Sequence, residues 1–281
     1  MQVVYYSMKL LGAMQRRKFI QSAFLVLASG KVLVAGDAFA AFKNKKTVLR
    51  FAVASDGHYG EKNTNYQEFY ETVINKVNEV HQADPFSFFV VNGDIVHDDK
   101  TRYPEVKALL DQLKPTYYVT QGNHDHVTAE EWKSIWNMPV NHDFSINDNS
   151  ILLCTSSNEK GEYTCPDLKW IADKLEQHKT KKNIFMFIHI NPGKLTKNGV
   201  ECPELFELFS KYKNVRAVFN GHDHDEDGIK FRQDVPFIFD AHLGGSWGTA
   251  YRGFRIVELM DDNSIVTYLM NPGSKINEAK L

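Results

Sequence analysis

The sequence predicts an α/β protein built as a sandwich with a mixed sheet, and three observations support this fold class. Strand and helix patterns alternate through the front half of the chain, which is typical of layered α/β folds. Some strands are almost continuously apolar, as in residues 86–91, and such strands are buried on both faces of a sheet. From Gly228 onward, short strand patterns follow one another through turns, which adds an antiparallel portion.

Periodicity and turn signals predict the individual elements. Thr47–Ala54 is apolar and rich in β-branched residues, which predicts the first strand. Apolar residues then recur at three- and four-residue spacing from 65 to 82, which predicts an amphipathic helix. The later predicted helices span 103–114, 128–136, 168–178 and 203–211, with Thr128 and Thr164 as caps. The later predicted strands span 86–91, 117–120, 143–146, 151–155, 183–188, 215–220, 229–233, 236–240, 254–260 and 264–268.

Length and charge restrict the class of protein. The 281 residues are 43% hydrophobic and show no internal repeat and no linker after residue 46, so a single domain is predicted from 41 to 281. The formal net charge is -2, and the first forty residues are basic. The rest of the chain is therefore mildly acidic, which argues against nonspecific binding to nucleic-acid phosphates.

The three cysteines form no CxxC motif, which excludes a zinc ribbon or a thioredoxin-like site. Cys154 lies in an apolar run and is expected to be a buried small hydrophobe. Cys165 and Cys202 each precede a proline and are able to pair in an oxidising compartment, but the sequence does not place them side by side. Unpaired thiols are the favoured interpretation.

Residues 1–40 are predicted to be a twin-arginine-type signal segment. Arg16 and Arg17 precede a moderate apolar run, and residues 38–40 fit an A-x-A cleavage site. The paired arginines, with Phe19 two positions later, resemble a twin-arginine export signal. An uncleaved membrane anchor is ranked second, because Lys31 interrupts the apolar run. We therefore expect a bacterial protein exported to the periplasm or beyond, which contacts the membrane only during export.

Polar residues follow five of the predicted strands, at the edge where open α/β sheets place their sites. The five groups are Asp56-Gly57-His58, Gly93-Asp94, Gly122-Asn123-His124-Asp125, His189, and Asn220-Gly221-His222-Asp223-His224. In extended backbone, residues two apart point the same way. Asp56 is therefore expected to share a side with His58, and His222 with His224. The glycines in these groups allow tight turns near the polar side chains.

The residue types in these groups predict metal binding. Carboxylate, amide and imidazole ligands without thiolates suit Mn, Fe, Zn or Mg. Seven such groups are too many for one tetrahedral ion, and they fit two divalent ions joined by a carboxylate. Each group by itself is weak evidence, because a lone D-x-H or G-N-H-D is usually turn chemistry. The order of all five along the chain is the specific signal.

That order resembles the calcineurin-like metallophosphoesterase superfamily, whose pattern is D-x-H, G-D, G-N-H-D, H and G-H-x-H. The resemblance extends over residues 47 to 270 and is greatest to small bacterial members, including the cyclic-nucleotide phosphodiesterase-like group. It implies a four-layer α-β-β-α sandwich of two mixed sheets.

The resemblance also implies a role for each matching residue. The implied ligands of one metal ion are Asp56, His58 and His224. The implied ligands of the other are Asn123, His189 and His222. Asp94 would bridge the two ions. His124 would face the substrate, with Asp125 holding its imidazole.

The sequence departs from the family pattern in two places. The family often reads H-x-P after the fourth strand, whereas His189 is followed by Ile-Asn-Pro, which alters the loop and not the ligand. His97 stands where purple acid phosphatases carry a tyrosine, so the tyrosinate-iron branch is not indicated. Four histidines remain open between pocket lining and other roles: His97, His126, His142 and His242. His81 and His178 end helices and are expected on the surface, where a cation suits the helix dipole.

The implied activity is hydrolysis of a small-molecule phosphoester by a hydroxide that bridges two metal ions, with His124 protonating the leaving group. A phosphodiesterase is the favoured interpretation, and a phosphomonoesterase with the same site is the first alternative. A non-catalytic metal-binding scaffold is the second, disfavoured because every ligand position and His124 are present. The sequence does not specify the natural substrate, the metal pair or the oligomeric state.

Overall fold

The computed structural model describes residues 45–240 and 242–272, together with the backbone of 24–26, 32–33 and 274–280. Apart from 24–26 and 32–33, the predicted signal segment lies outside the described residues. Within the described ranges, no helix combines the length and the apolar character needed to cross a bilayer.

Strands dominate the described part of the chain. The strands are β1 (Phe24–Val26), β2 (Val32–Leu33), β3 (Thr47–Ala54), β4 (Phe88–Asn92), β5 (Tyr117–Thr120), β6 (His142–Ile146), β7 (Asn149–Cys154), β8 (Asn183–Ile188), β9 (Val215–Asn220), β10 (Ile229–Arg232), β11 (Val235–Phe239), β12 (Phe254–Met260), β13 (Ile265–Asn271) and β14 (Ser274–Lys280). The helices are α1 (Tyr66–Ala83), α2 (Tyr103–Leu110), α3 (Ala129–Trp136), α4 (Leu168–Gln177) and α5 (Pro203–Lys211), and a short 3₁₀ turn at Lys100–Arg102 precedes α2.

The strands form two mixed sheets. The first has the order β2-β1-β14-β13-β12-β3-β4-β5, and the second has the order β10-β11-β9-β8-β7-β6. Strands β3, β4 and β5 are parallel to one another, as are β7, β8, β9 and β11. Strands β12 and β13 add the antiparallel portion that the back half of the sequence predicts.

Three apolar clusters define four layers. One cluster packs α1, α2 and α3 against the first sheet, and another packs α4 and α5 against the second. The third lies between the sheets and is rich in phenylalanine, with Phe51 stacked on Phe88 and Phe187 stacked on Phe219. This arrangement confirms the α-β-β-α sandwich.

The apolar runs in the sequence reflect burial on both faces of each sheet. In β4, Phe88 and Val90 point into the space between the sheets, whereas Phe89 and Val91 point toward the helices. Alternate residues of a strand face opposite sides, so a strand that is covered on both sides needs apolar residues at every position. Because the central strands are parallel, they end together at one edge of each sheet. The loops that follow them lie outside the apolar layers and are free to carry polar residues.

Two sequence predictions about packing are wrong. Cys165 and Cys202 form a disulfide with a Cα–Cα distance of 5.8 Å, so these thiols are not free. The bond joins the loop before α4 to the residue before α5, two points that are 37 residues apart and that a linear pattern does not bring together. His178, which was expected on the surface, is buried and pairs with Asp143 at 2.7 Å. His81 is half-buried and accepts a hydrogen bond from the backbone N–H of Phe86.

One helix cap and one helix end differ from the predicted ones. Thr128 closes a capping box with Glu131 at the start of α3, as predicted. The start of α4 is capped by Asp167, which accepts from the backbone N–H of Trp170, and not by Thr164. Helix α2 ends at Leu110, four residues before the predicted end.

Candidate metal centre

Seven predicted metal ligands meet at the edge where the central strands end. We call Asp56, His58, Asp94, Asn123, His189, His222 and His224 the inner cluster. They follow β3, β4, β5, β8 and β9, as the sequence predicts. All of them are buried except His222, which is half-buried. Seven polar side chains with this little exposure cost free energy unless charge or hydrogen bonds compensate for burial.

The backbone of the inner cluster is strained. Four of its non-glycine residues have positive φ angles, at values between 45° and 68°: Asp56, His58, Asp94 and His222. Left-handed backbone is uncommon outside glycine and concentrates at functional sites. The expectation that extended backbone aligns Asp56 with His58 is therefore wrong in its reason, because both residues have left-handed backbone. His222 and His224 do not face the same side. The ligand atom of His224 lies near those of Asp56 and His58, whereas that of His222 lies near those of Asp94 and His189.

The first set consists of Asp56, His58 and His224. Their ligand atoms lie within 4.8 Å of one another. The Nε2 atoms of His58 and His224 are 3.0 Å apart, and His224 Nε2 is 3.1 Å from Asp56 Oδ1. The structure thus brings together the three residues implied for one metal ion.

The second set lies next to the first. Ligand atoms of Asp94, His189 and His222 also fall within 4.8 Å of one another. Among the described residues, Asn123 Oδ1 and His222 Nε2 are buried polar atoms without a hydrogen-bond partner. Buried polar atoms are normally satisfied, so two orphans at one place indicate a missing partner that accepts electron pairs.

The tautomers of two histidines also indicate a metal site. His189 Nδ1 lies 2.7 Å from the carbonyl oxygen of Asn92, and His224 Nδ1 lies 3.2 Å from that of Trp247. A carbonyl oxygen only accepts, so both Nδ1 atoms carry the hydrogen and each Nε2 of a neutral ring presents a lone pair. Metal-binding histidines are held in this way by a partner on the other ring nitrogen. The donor set therefore fits divalent cations.

Asp94 contacts both sets. Its Oδ2 lies 3.1 Å from His189 Nε2 and 3.6 Å from His58 Nε2, and its Oδ1 accepts from the backbone N–H of His124 at 2.9 Å. Gly93 and Gly122 leave room for this approach. A Cβ at Gly93 would lie 2.4 Å from the His189 ring, and one at Gly122 would lie 2.2 Å from Asp94 Oδ1.

The pKa shifts show how charge is distributed within the inner cluster. Burial lowers the pKa of His189, but the carboxylates of Asp94 and Asp56 more than offset it and raise that pKa to about 10. Burial opposes ionisation of Asp56, yet His224 and His189 keep its pKa below the ordinary value. Burial lowers the pKa of His58 to about 3, so this imidazole is neutral. The buried carboxylates thus favour positive charge on the neighbouring His189 imidazole, a charge that a bound cation would supply instead.

A second group of side chains borders the inner cluster on its exposed side. We call His97, Asp98, His124 and His126 the outer cluster. Asp98 Oδ1 lies 2.7 Å from His124 Nδ1 and 3.0 Å from His126 Nε2. The His97 ring stacks on that of His124 at 5.0 Å, and His97 Nδ1 is 2.9 Å from His58 Nδ1. His97 and His126, which the sequence left open, thus lie beside the candidate site.

Asp125 does not hold the imidazole of His124, contrary to the role implied by the sequence. Its carboxylate is buried and accepts from the backbone N–H groups of Ile95, Val96 and Gly122. Asp125 therefore ties the loop after β4 to the loop after β5. Burial and the nearby charge of Asp94 raise the pKa of Asp125 to about 6. Asp98 pairs with His124 instead.

Sequence reasoning missed four residues around the site. Asp98 stands four positions after Asp94 in the loop after β4, where no periodic pattern singles it out. Asp223 accepts from Thr196 and Asn198, which fixes the long loop after His189. The other two are Trp247 and Tyr163, whose rings contact His224 and His222. In the sequence, each is an aromatic residue in a loop, and a single sequence does not distinguish such a residue from an ordinary surface residue. His242, also left open, is buried and packs against His224.

Comparison with known proteins identifies a family for most of this chain. A family model described as "Calcineurin-like phosphoesterase" matches residues 49–226, which is more than half of the 281 residues. The matched region contains every residue of the inner and outer clusters.

Two curated bacterial proteins and one solved structure are similar to this chain. A probable cyclic nucleotide phosphodiesterase of Fibrobacter succinogenes is 22% identical over 209 residues, which cover 69% of this chain and 80% of that protein. One of Coxiella burnetii is 23% identical over 200 residues, which cover 66% and 80%. The crystal structure of a dimetal phosphatase from Danio rerio superposes with a TM-score of 0.67 at 12% identity, covering 84% of this chain and 99% of that one. This last likeness establishes the fold.

Proposed function

Because the chain belongs to the calcineurin-like phosphoesterase family, whose members are metal-dependent phosphoester hydrolases, we propose that it is a phosphodiesterase with a dinuclear metal centre. The observation that carries this proposal is the inner cluster, in which two ligand sets meet around Asp94 and two buried ligand atoms lack a partner. The names of the two curated relatives support a diester substrate of the cyclic-nucleotide class.

The proposed ligands follow the two sets. Asp56, His58 and His224 would hold one ion, and Asn123, His189 and His222 would hold the other. Asp94 would serve both, since its carboxylate faces a histidine of each set. Two divalent ions held there would supply positive charge opposite the phosphoryl oxygens and acidify an attacking water.

The protein's own contribution is orientation. The Nδ1–H groups of His189 and His224 are held by backbone carbonyls, which aim both Nε2 atoms into the centre. The backbone N–H of His222 is 3.0 Å from both carboxylate oxygens of Asp56, which holds that carboxylate in place. The phosphoryl group would therefore meet a preorganised electrostatic environment that need not rearrange during reaction.

His124 is proposed as the acid that protonates the leaving oxygen. Its backbone N–H donates to Asp94, which holds the residue beside the centre, and its side chain is half-exposed and accessible to substrate. Asp98 accepts the Nδ1–H of His124, so Nε2 is the ring nitrogen that carries or gives up the second proton. Burial opposes ionisation of Asp98, but the neighbouring histidines, His124 first, lower its pKa, so it remains a charged acceptor.

A substrate panel tests the proposed reaction. The purified chain would be assayed with Mn on bis(4-nitrophenyl) phosphate, 4-nitrophenyl phosphate and cyclic nucleotides. We expect hydrolysis of the diesters to exceed that of the monoester in kcat/KM. Preference for the monoester would assign the same site to a phosphomonoesterase. Bound metal without turnover of any ester would leave the scaffold role.

We also propose that residues 41–281 act outside the cytoplasm after removal of residues 1–40. The disulfide between Cys165 and Cys202 supports this, because such bonds persist in oxidising compartments. Replacing Arg16 and Arg17 together by lysine should leave unprocessed protein inside the cell, as judged by fractionation and mass of the product. Normal export of that variant would reject the twin-arginine route.

A further inference from the structure

Two exposed aromatic side chains border the inner cluster. Trp247 and Tyr163 are each 45% exposed, and each contacts a histidine of a different ligand set. Burial of an indole is strongly favourable, so an exposed one beside a polar centre leaves favourable contact area unused.

Trp247 presents a flat surface at the rim. Its indole is parallel to the His224 ring, with centroids 4.2 Å apart and an angle of 8° between the planes. It also contacts the ring of His58 at 4.9 Å. His224 thus covers one face of the indole, and the solvent-exposed area of Trp247 lies on the rest of its side chain. Tyr163 differs, because it meets His222 edge-on at 87°.

The loop that carries Trp247 is fixed by several bonds. The carbonyl of Trp247 accepts from His224 Nδ1, and the carbonyl of Gly245 accepts from Arg252 at 2.6 Å. The Ser246 hydroxyl donates to Glu61, which lies after β3. Gly248 has a φ of +107°, and a Cβ there would lie 2.4 Å from Cβ of His224. The indole is therefore held in place before any ligand arrives, which lowers the entropic cost of binding.

We propose that Trp247 stacks the nucleobase of a nucleotide phosphodiester whose phosphoryl group lies at the inner cluster. This inference rests on the proposed function and deepens it, because it assigns one residue of this chain to recognition of the base in a substrate of the cyclic-nucleotide class. A parallel arrangement of indole and imidazole continues naturally into a third planar ring on the open side. Stacking on an aromatic side chain tolerates any base, so the inference predicts a preference for a base and not for one particular base.

The test compares two cyclic substrates with the same leaving group. One is adenosine 3′,5′-cyclic phosphate, and the other is its abasic analogue with hydrogen at C1′. In the wild-type protein, kcat/KM should be higher for the nucleotide. Trp247→Ala should lower the ratio of the two values by about 5- to 100-fold, and Trp247→Phe should retain most of the ratio. The control is Phe231→Ala, an exposed aromatic on edge strand β10, which should leave the ratio unchanged.

Equal losses on both substrates in Trp247→Ala would overturn the inference, because Trp247 would then only support His224. A wild-type ratio near one would overturn it while leaving the phosphodiesterase proposal intact. If the wild type cleaves only monoesters, the proposed function fails and stacking is tested by fluorescence of the metal-free protein. AMP should quench emission more than ribose 5-phosphate does, and Trp247→Phe should abolish the difference. Equal quenching by both ligands would reject a stacking role.

Discussion

The inner and outer clusters differ in burial, and this difference separates two kinds of chemistry. The inner cluster is almost completely shielded from solvent, and several of its polar atoms lack a hydrogen-bond partner. The outer cluster is half-exposed, and Asp98 provides its histidines with hydrogen-bond acceptors. A shielded set of lone pairs is suited to holding cations. An accessible, hydrogen-bonded set of imidazoles is suited to exchanging protons with a substrate.

The support of the two clusters differs as well. Inner-cluster residues come directly after central strands and are held by the backbone of neighbouring strands and loops, as in the bond from His189 to Asn92. Outer-cluster residues lie further along the loops after β4 and β5, where the Asp98 side chain links His124 and His126. We infer that inner-cluster substitutions change metal content, whereas outer-cluster substitutions change proton transfer with the metals retained.

The largest effect is expected for Asp94→Ala. Removing the carboxylate that faces both ligand sets should release more than one equivalent of metal per chain and lower kcat/KM at least about 10⁴-fold. Metal analysis by mass spectrometry and a diester assay measure the two quantities. Two tightly bound ions in this variant would contradict the bridging role and would remove the basis for treating the inner cluster as one centre.

The next effect is expected for His124→Ala. Both metals should remain bound, and hydrolysis of an alkyl diester should fall by about 10²–10⁴-fold, while a nitrophenyl diester, whose leaving group needs no proton, falls much less. His126→Ala is the matched control, because it shares Asp98 but is not the proposed acid. Equal losses on both esters would mean that His124 only positions the phosphoryl group. Loss of metal would move His124 into the inner cluster.

A smaller effect is expected for Asp98→Asn, which keeps the shape of the side chain and removes its charge. The imidazole of His124 remains, so the loss on the alkyl diester should be about 10- to 100-fold, less than for His124→Ala. Asp125→Asn is the informative counterpart. It should lower the melting temperature, since three backbone N–H groups depend on its carboxylate. If Asp125→Asn instead reproduces the leaving-group dependence of His124→Ala, the pairing through Asp98 is wrong.

The smallest effect on catalysis is expected when Cys165 and Cys202 are both replaced by serine. The disulfide closes a 37-residue separation, which is worth about 3–4 kcal/mol of unfolding free energy. Neither cluster contains a cysteine, so kcat/KM at low temperature should change by less than about threefold, whereas the denaturation midpoint should fall. A large loss of activity in the folded variant would show that the loop carrying Tyr163 supports the inner cluster more closely than its contacts indicate.

The inner cluster was predictable from the sequence for a physical reason. Parallel strands that are buried on both faces give recognisable apolar runs, and their ends meet at one edge. The residue after each run was therefore placed correctly without knowledge of the loops. Strand β8 and His189 illustrate this, as the predicted and observed bounds of the strand agree.

The outer cluster was less predictable, because loops place residues by turn geometry and not by periodicity. Asp125 is adjacent to His124 in sequence and was implied to hold its imidazole. Its carboxylate instead accepts a hydrogen bond from the backbone of the loop after β4. Asp98 lies 26 positions away from His124 and makes the contact. The disulfide and the stacking of Trp247 on His224 were not predicted for the same reason, since both join segments that no local pattern relates.

Anomalous diffraction from crystals of the Mn-loaded protein tests the central claim most directly. We predict two manganese peaks on either side of Asp94, one bound by Asp56, His58 and His224, and the other by Asn123, His189 and His222. The outer cluster should carry no peak. A single peak, or a strong peak among the histidines around Asp98, would contradict the division into a metal-holding inner cluster and a proton-handling outer cluster.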